Sequence, residues 1–116
     1  MAFDTYLLDE ALARRRTVLE QERQAALSDV LCLLAELGPR YSIRRAYIFG
    51  SLTRPGHFTE HSDVDIAVEL MEPEHFFAAI STFAAALGRE VDLVELDKCH
   101  FAHRIRERGI EWTETP

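Results

Sequence analysis

Asp63 and Asp65 stand two positions apart in the run Ser-Asp-Val-Asp-Ile-Ala-Val-Glu-Leu, residues 62–70, and a third acid, Asp92, is second in Val-Asp-Leu-Val-Glu-Leu, residues 91–96. Residues two apart on a strand project to one face, so Asp63 and Asp65 point together while Val64 and Ile66 point to the other side. Two carboxylates a few ångströms apart resist joint ionisation unless a proton or cation lies between them, and their hard oxygens suit Mg²⁺. Two such ions can clamp the attacking and leaving oxygens of an in-line phosphoryl displacement, with substrate phosphates among their ligands. The phosphates need a seat. Gly50 and Ser51 close the apolar run Ala46-Tyr47-Ile48-Phe49. They offer backbone N–H donors, a hydroxyl, and no side chain where a phosphate must approach. Arg54, three residues on, can fork to a phosphate oxygen. Each piece alone is a common turn or surface feature. Their order is what points to metal and nucleotide: strand, Gly-Ser, polar loop, strand opening with Asp-x-Asp, helix, strand with a third Asp.

The elements that must hold these residues follow from periodicity. From about Asp4 to Leu37 the chain is rich in helix formers and free of Gly and Pro, and Leu27, Val30, Leu31, Leu34 and Leu37 recur at helical spacing. This predicts one long amphipathic helix, or two joined ones, stopped by Gly38-Pro39. Ala46 to Phe49 reads as a buried strand, and Asp63 to Leu70 as a second, with Val64, Ile66, Val68 and Leu70 alternating against Asp63, Asp65, Ala67 and Glu69. Pro73 opens a helix carrying Phe76, Ile80, Phe83 and Leu87, Gly88 ends it, and Val91 to Leu96 forms a third strand. Strand, helix, strand predicts a parallel pair starting at one end, which brings Asp92 beside Asp63 and Asp65. The short first connection predicts an antiparallel pair. The expectation is an α/β (α+β) fold: a small mixed sheet flanked by helices, with a long N-terminal helix. A short helix from His100 to Arg108, closed by Gly109, and an edge strand at Ile110-Glu111-Trp112 complete it.

A chain of 116 residues is the size of one domain. Its parts are residues 1–40 as a helical segment, 45–97 as the catalytic core, and 98–116 as a C-terminal helix and tail. No apolar run approaches the roughly 20 residues needed to span a bilayer. The N-terminus, with acids ahead of its bases, lacks the pattern of a signal peptide, so the cytoplasm is the expected compartment. A charge of −7, from 20 acids against 13 bases, argues against direct nucleic-acid binding. Cys32 and Cys99 specify no disulfide framework, and Cys32 reads as a buried small hydrophobe. Arg14-Arg15-Arg16 reads as a solvated helix face. Cys99, His100 and His103 lack a fourth ligand for a soft metal, and His57 and His61 read as exposed loop residues. The phenylalanines from Phe76 to Phe83 read as core, while Trp112 fits either an interface or a core cover.

The segments "FGSLTR", "SDVDIAVEL" and "EVDLVEL" resemble the minimal nucleotidyltransferases, small members of the DNA polymerase β-like nucleotidyltransferase superfamily, over roughly Arg45 to the C-terminus. The resemblance implies that Gly50, Ser51 and Arg54 bind the nucleotide triphosphate. It also implies that Asp63, Asp65 and Asp92 are catalytic and hold Mg²⁺, two ions, Asp92 also activating the incoming hydroxyl. Members of this size commonly act as antitoxins beside a HEPN-type RNase toxin, transferring AMP from ATP to a toxin tyrosine. One departure stands out: residues 52–62 make the loop one residue longer than is usual in the family, with Pro55 between Arg54 and Gly56. Two other functions stay open, a non-catalytic antitoxin that works by occlusion and transfer to a small molecule such as an aminoglycoside.

Overall fold

The computed structural model describes residues 5–115. The first helix, α1, runs unbroken from Thr5 to Leu37. Its C-terminal half carries the apolar stripe: Val30 and Leu34 are fully buried, with Ala26, Leu27, Leu31 and Leu37 packed beside them. Cys32, expected in the core, is exposed. At 100° per residue it sits about 200° from both Val30 and Leu34, and so on the solvent side of the stripe. The N-terminal half leaves the body, with Leu7, Leu8, Leu12 and Val18 each about half exposed or more. A straight helix of this length is roughly 50 Å long, which accounts for a molecule of 65 × 28 × 25 Å. No described helix is long and apolar enough to cross a membrane.

After a tight turn at Pro39–Tyr41 come β1 (Arg45–Phe49), a turn at Gly50–Thr53, and β2 (Val64–Glu69). A turn at Pro73–His75 leads into α2 (Phe76–Leu87), followed by β3 (Val91–Glu95). A turn at Leu96–Lys98 then precedes α3 (Ala102–Arg108) and β4 (Ile110–Thr113). The sheet order is β3-β2-β1-β4. β1 pairs antiparallel with β2 and with β4, and β2 pairs parallel with β3. The mixed sheet expected from the connections is therefore present, and the last apolar residues form its edge.

Strand alternation divides the sheet into two faces. Val64, Ile66 and Val68 share one face with Ala46, Ile48 and Leu93, and α1 and α2 cover it through Val30, Leu34, Ala79 and Phe83. Tyr47 and Ala67 lie on the other, under Leu96 and Ile105 at the α3 end of the chain. Trp112 packs against the α1 side as a half-buried cover. Two apolar residues, one from the alternating run of the second strand and one from the phenylalanines read as core, lie outside it. Leu70 is 87% exposed with φ 60°, because pairing ends at Glu69, opposite Arg45, and the chain turns away there. Phe77 is 79% exposed, one residue out of phase with the buried stripe through Phe76, Ala79 and Phe83. Gly88 ends α2 in the left-handed conformation, its N–H donating to the Ala84 carbonyl at 2.9 Å.

Candidate active site

The register of the sheet assembles the acids. In the parallel pair Asp65 lies opposite Asp92, and in the antiparallel pair the same Asp65 lies opposite Phe49, the last residue of β1. Asp63 immediately precedes β2 and is exposed. Burial pushes the Asp65 carboxyl up to about 6, and the charges of Asp92 and Asp63 push in the same direction. One carboxylate thus feels both others. The three do not close into a tight ligand set, however. Among the described residues, the group of three donors lying within 4.8 Å of one another is instead Glu72, Glu74 and His75. That group follows β2, at the opposite end of a strand roughly 20 Å long.

Gly50 presses against the acids. Its φ is +78°, and a Cβ added there would collide with the Asp65 carboxylate. Glycine is thus required both by conformation and by close approach. Ser51 follows, half-buried, in a turn held from three sides. Thr53 Oγ1 donates to the Gly50 carbonyl at 2.9 Å, the Arg54 N–H donates to the Ser51 carbonyl at 3.1 Å, and Leu52 is fully buried beneath. The Leu52 carbonyl accepts from Arg23 Nη1 at 2.9 Å, which fastens the turn to α1. Arg23 is itself held by Glu20 through a fork, Nε to Oε2 at 2.8 Å and Nη2 to Oε1 at 2.6 Å. Hydrogen bonds from Arg23 and then Gln24 pull the Glu20 carboxyl down to about 2.

The loop from Arg54 to Ser62 is anchored by Arg89. Its Nη1 donates to the carbonyls of Glu60 and Ser62, both at 3.1 Å, and its guanidinium lies 4.8 Å over the ring of buried Phe58. This clamp fixes the approach to Asp63. His57 and His61 are exposed in the same loop, as expected. Cys99, His100 and His103 form no such three-donor group among the described residues.

Two positioning residues, Arg23 and Arg89, escaped the sequence reading. For Arg23 a signal existed: it lies seven residues before Val30, on the stripe that faces the body, where an apolar residue was due. A charge in that place announces a buried partner. Arg89 gave no such signal, since its role depends on where the loop folds back.

A four-stranded mixed sheet with helices on its faces, carrying acids at adjacent strand ends beside a glycine turn, defines a nucleotidyltransferase fold. The family described as Polymerase beta, Nucleotidyltransferase matches residues 34–114, from the last turn of α1 to the end of β4, and the chain belongs to that family. No curated protein sequence matches it significantly. Among solved structures, a chain of a toxin-antitoxin complex with AMP-PNP is 26% identical with TM-score 0.57, covering 76% of this chain and 73% of that one. A chain of the toxin-antitoxin MntA-HpeT, in a mutant form, is 28% identical with TM-score 0.55, over 76% of this chain and 72% of that one. A minimal nucleotidyltransferase shares the fold at 23% identity and TM-score 0.51, over 82% of this chain and 93% of that one.

Proposed function

We propose that this chain is a Mg²⁺-dependent adenylyltransferase that moves AMP from ATP onto a hydroxyl, that of a tyrosine, in a HEPN-type RNase toxin, and so acts as its antitoxin. The observation that carries the reading is the cross-strand pair Asp65 and Asp92 with Gly50 pressed against Asp65. Carboxylates that raise the cost of one another's ionisation gain from a cation, and an all-oxygen donor set fits Mg²⁺. Asp63, Asp65 and Asp92 would hold it, as one ion or two. Bound there, Mg²⁺ supplies charge neutralisation and in-line orientation for the phosphates.

The chain's own groups do the rest. The turn at Gly50 and Ser51, with Arg54 after it, seats the phosphates. Asp92 takes the proton of the acceptor hydroxyl as its oxygen bonds to the α-phosphorus. The bond from the α-phosphorus to the bridging oxygen breaks, and pyrophosphate leaves with the electron pair. ATP as donor is supported by the AMP-PNP of the similar toxin-antitoxin structure, and a toxin as partner by the toxin-antitoxin nature of two similar structures. The HEPN class and the tyrosine rest on the resemblance of the sequence motifs. In this reading residues 1–116 work as one domain in the cytoplasm, and the acceptor arrives as a separate chain.

The test is incubation with α-labelled ATP, Mg²⁺ and the product of the neighbouring reading frame. Label should pass to the partner with the wild type, fall by at least 100-fold with Asp63→Ala/Asp65→Ala, and map to a tyrosine. An unlabelled partner, neutralised equally by wild type and variant, would replace transfer by occlusion. Label passing to a small-molecule acceptor instead would remove the antitoxin role.

A further inference from the structure

In a chain of net charge −7, half of the twelve arginines meet a partner. Arg14, Arg15, Arg23, Arg45 and Arg106 each face a glutamate, and Arg89 is held by two carbonyls. Arg54, Arg104 and Arg108 have no such side-chain partner among the described residues, yet all three line one groove of roughly 240 Å³. The other unpaired arginines, Arg16, Arg40 and Arg44, do not share it. Three uncompensated guanidinium groups around one space repel one another unless an anion enters, so the groove has the charge of an anion seat.

Its position says which anion. Gly50 lines the groove and at the same time touches the Asp65 carboxylate, so the groove begins where the acids end. Phe49, cross-strand neighbour of Asp65, forms its wall together with Phe101, the two rings edge-on at 6.1 Å. On α3, Arg104 and Arg108 are one turn apart and share a face, while Arg106 between them turns away to Glu69 at 3.1 Å. Apolar walls lower the local dielectric and strengthen the pull of the guanidinium groups on a multiply charged ligand.

We propose that Arg104 and Arg108, with Arg54, form the seat of the β- and γ-phosphates of the donor nucleotide and of the pyrophosphate that leaves. This deepens the proposed function and rests on its nucleoside triphosphate donor. The α-phosphate lies by the acids, and the rest of the chain of phosphates runs past Gly50 into the groove. As the bond from the α-phosphorus to the bridging oxygen breaks, the electron pair passes to pyrophosphate, and the three guanidinium groups meet that charge with forked hydrogen bonds.

The test is calorimetric titration of the full chain with Mg²⁺ and, separately, ATP, AMP and inorganic pyrophosphate. Arg104→Ala/Arg108→Ala should weaken ATP and pyrophosphate binding on the order of 10- to 100-fold while leaving AMP binding unchanged. Arg106→Ala, which breaks only the Glu69 pair, should bind all three as the wild type does. On the wild type itself, the side-chain Nε resonances of Arg104 and Arg108 should shift on adding pyrophosphate and stay in place on adding AMP, which keeps the test independent of how the variants fold. Equal losses for ATP and AMP, or no loss and no shift with pyrophosphate, overturn the seat while the transferase reading stands. A wild type that binds pyrophosphate through these arginines but binds no nucleotide overturns that reading instead and leaves the seat in place.

Discussion

Asp65 is the residue on which the site turns, and its chemistry can be measured without any substrate. Its folded carboxyl sits near 6 against an ordinary 3.8, chiefly through burial and then through Asp92 and Asp63. Between those values the folded state holds more proton than the unfolded one, so this group's contribution to stability falls as pH rises through the window. In chelator, Asp65→Asn should therefore melt above the wild type at pH 7.5, and the gap should close as pH falls toward 4. Adding Mg²⁺ with ATP should raise the wild-type melting temperature at pH 7.5 and leave the variant where it was. Thermal melts at both pH values check this, and a gap that widens toward pH 4 would contradict it. Much at this scale was legible beforehand. The alternation through Val64 and Ile66 fixes which way Asp65 points, and strand-helix-strand logic fixes Asp92 beside it. Arg104 and Arg108 were not legible as site residues, because their arrival at the groove depends on the rotation of α3 against β1, which no local pattern records.

Among the elements, α1 and the turn at Gly50–Thr53 act as one piece through Arg23. Replacing Arg23 by Met keeps the packed stem but leaves the Leu52 carbonyl without its donor and Glu20 without its fork. The expected loss is about 1–3 kcal/mol in urea unfolding, together with weaker ATP binding, since the turn would no longer be tethered. Glu20 adds a pH signature. Its carboxyl lies well below the ordinary range, so the stability it lends is present above about 4.5 and is lost as pH falls toward 2. That acid-side loss should shrink in Arg23→Met to the part that Gln24 supplies, and its persistence at full size would separate Glu20 from Arg23. The extents of α1, α2 and the first three strands were readable from period and punctuation. Leu70 and Phe77 misled because each extends a run by one apolar residue past the point where geometry turns, and apolar type alone does not mark that point.

For the molecule as a whole, the mismatch between a long helix and a short body governs behaviour. Only the part of α1 from about Leu19 onward has a core beneath it, whereas the segment before it is a helix without a floor. An unsupported helix of a few turns is marginal in water, so its opening is governed by local propensity and not by the global unfolding free energy. Amide hydrogen exchange should consequently change along this single helix. Amides from Ala26 to Leu37 should exchange at the rate of the sheet, and those from about Leu8 to Val18 orders of magnitude faster, with the break near Arg23. Uniform protection along the helix in dilute solution would refute this. The boundary falls at the residue that also tethers the turn beside Asp65, so the helix is a thermometer with its zero mark at the site. Whatever quietens exchange at the far tip has bound the arm, and whatever moves the break itself has reached the chemistry.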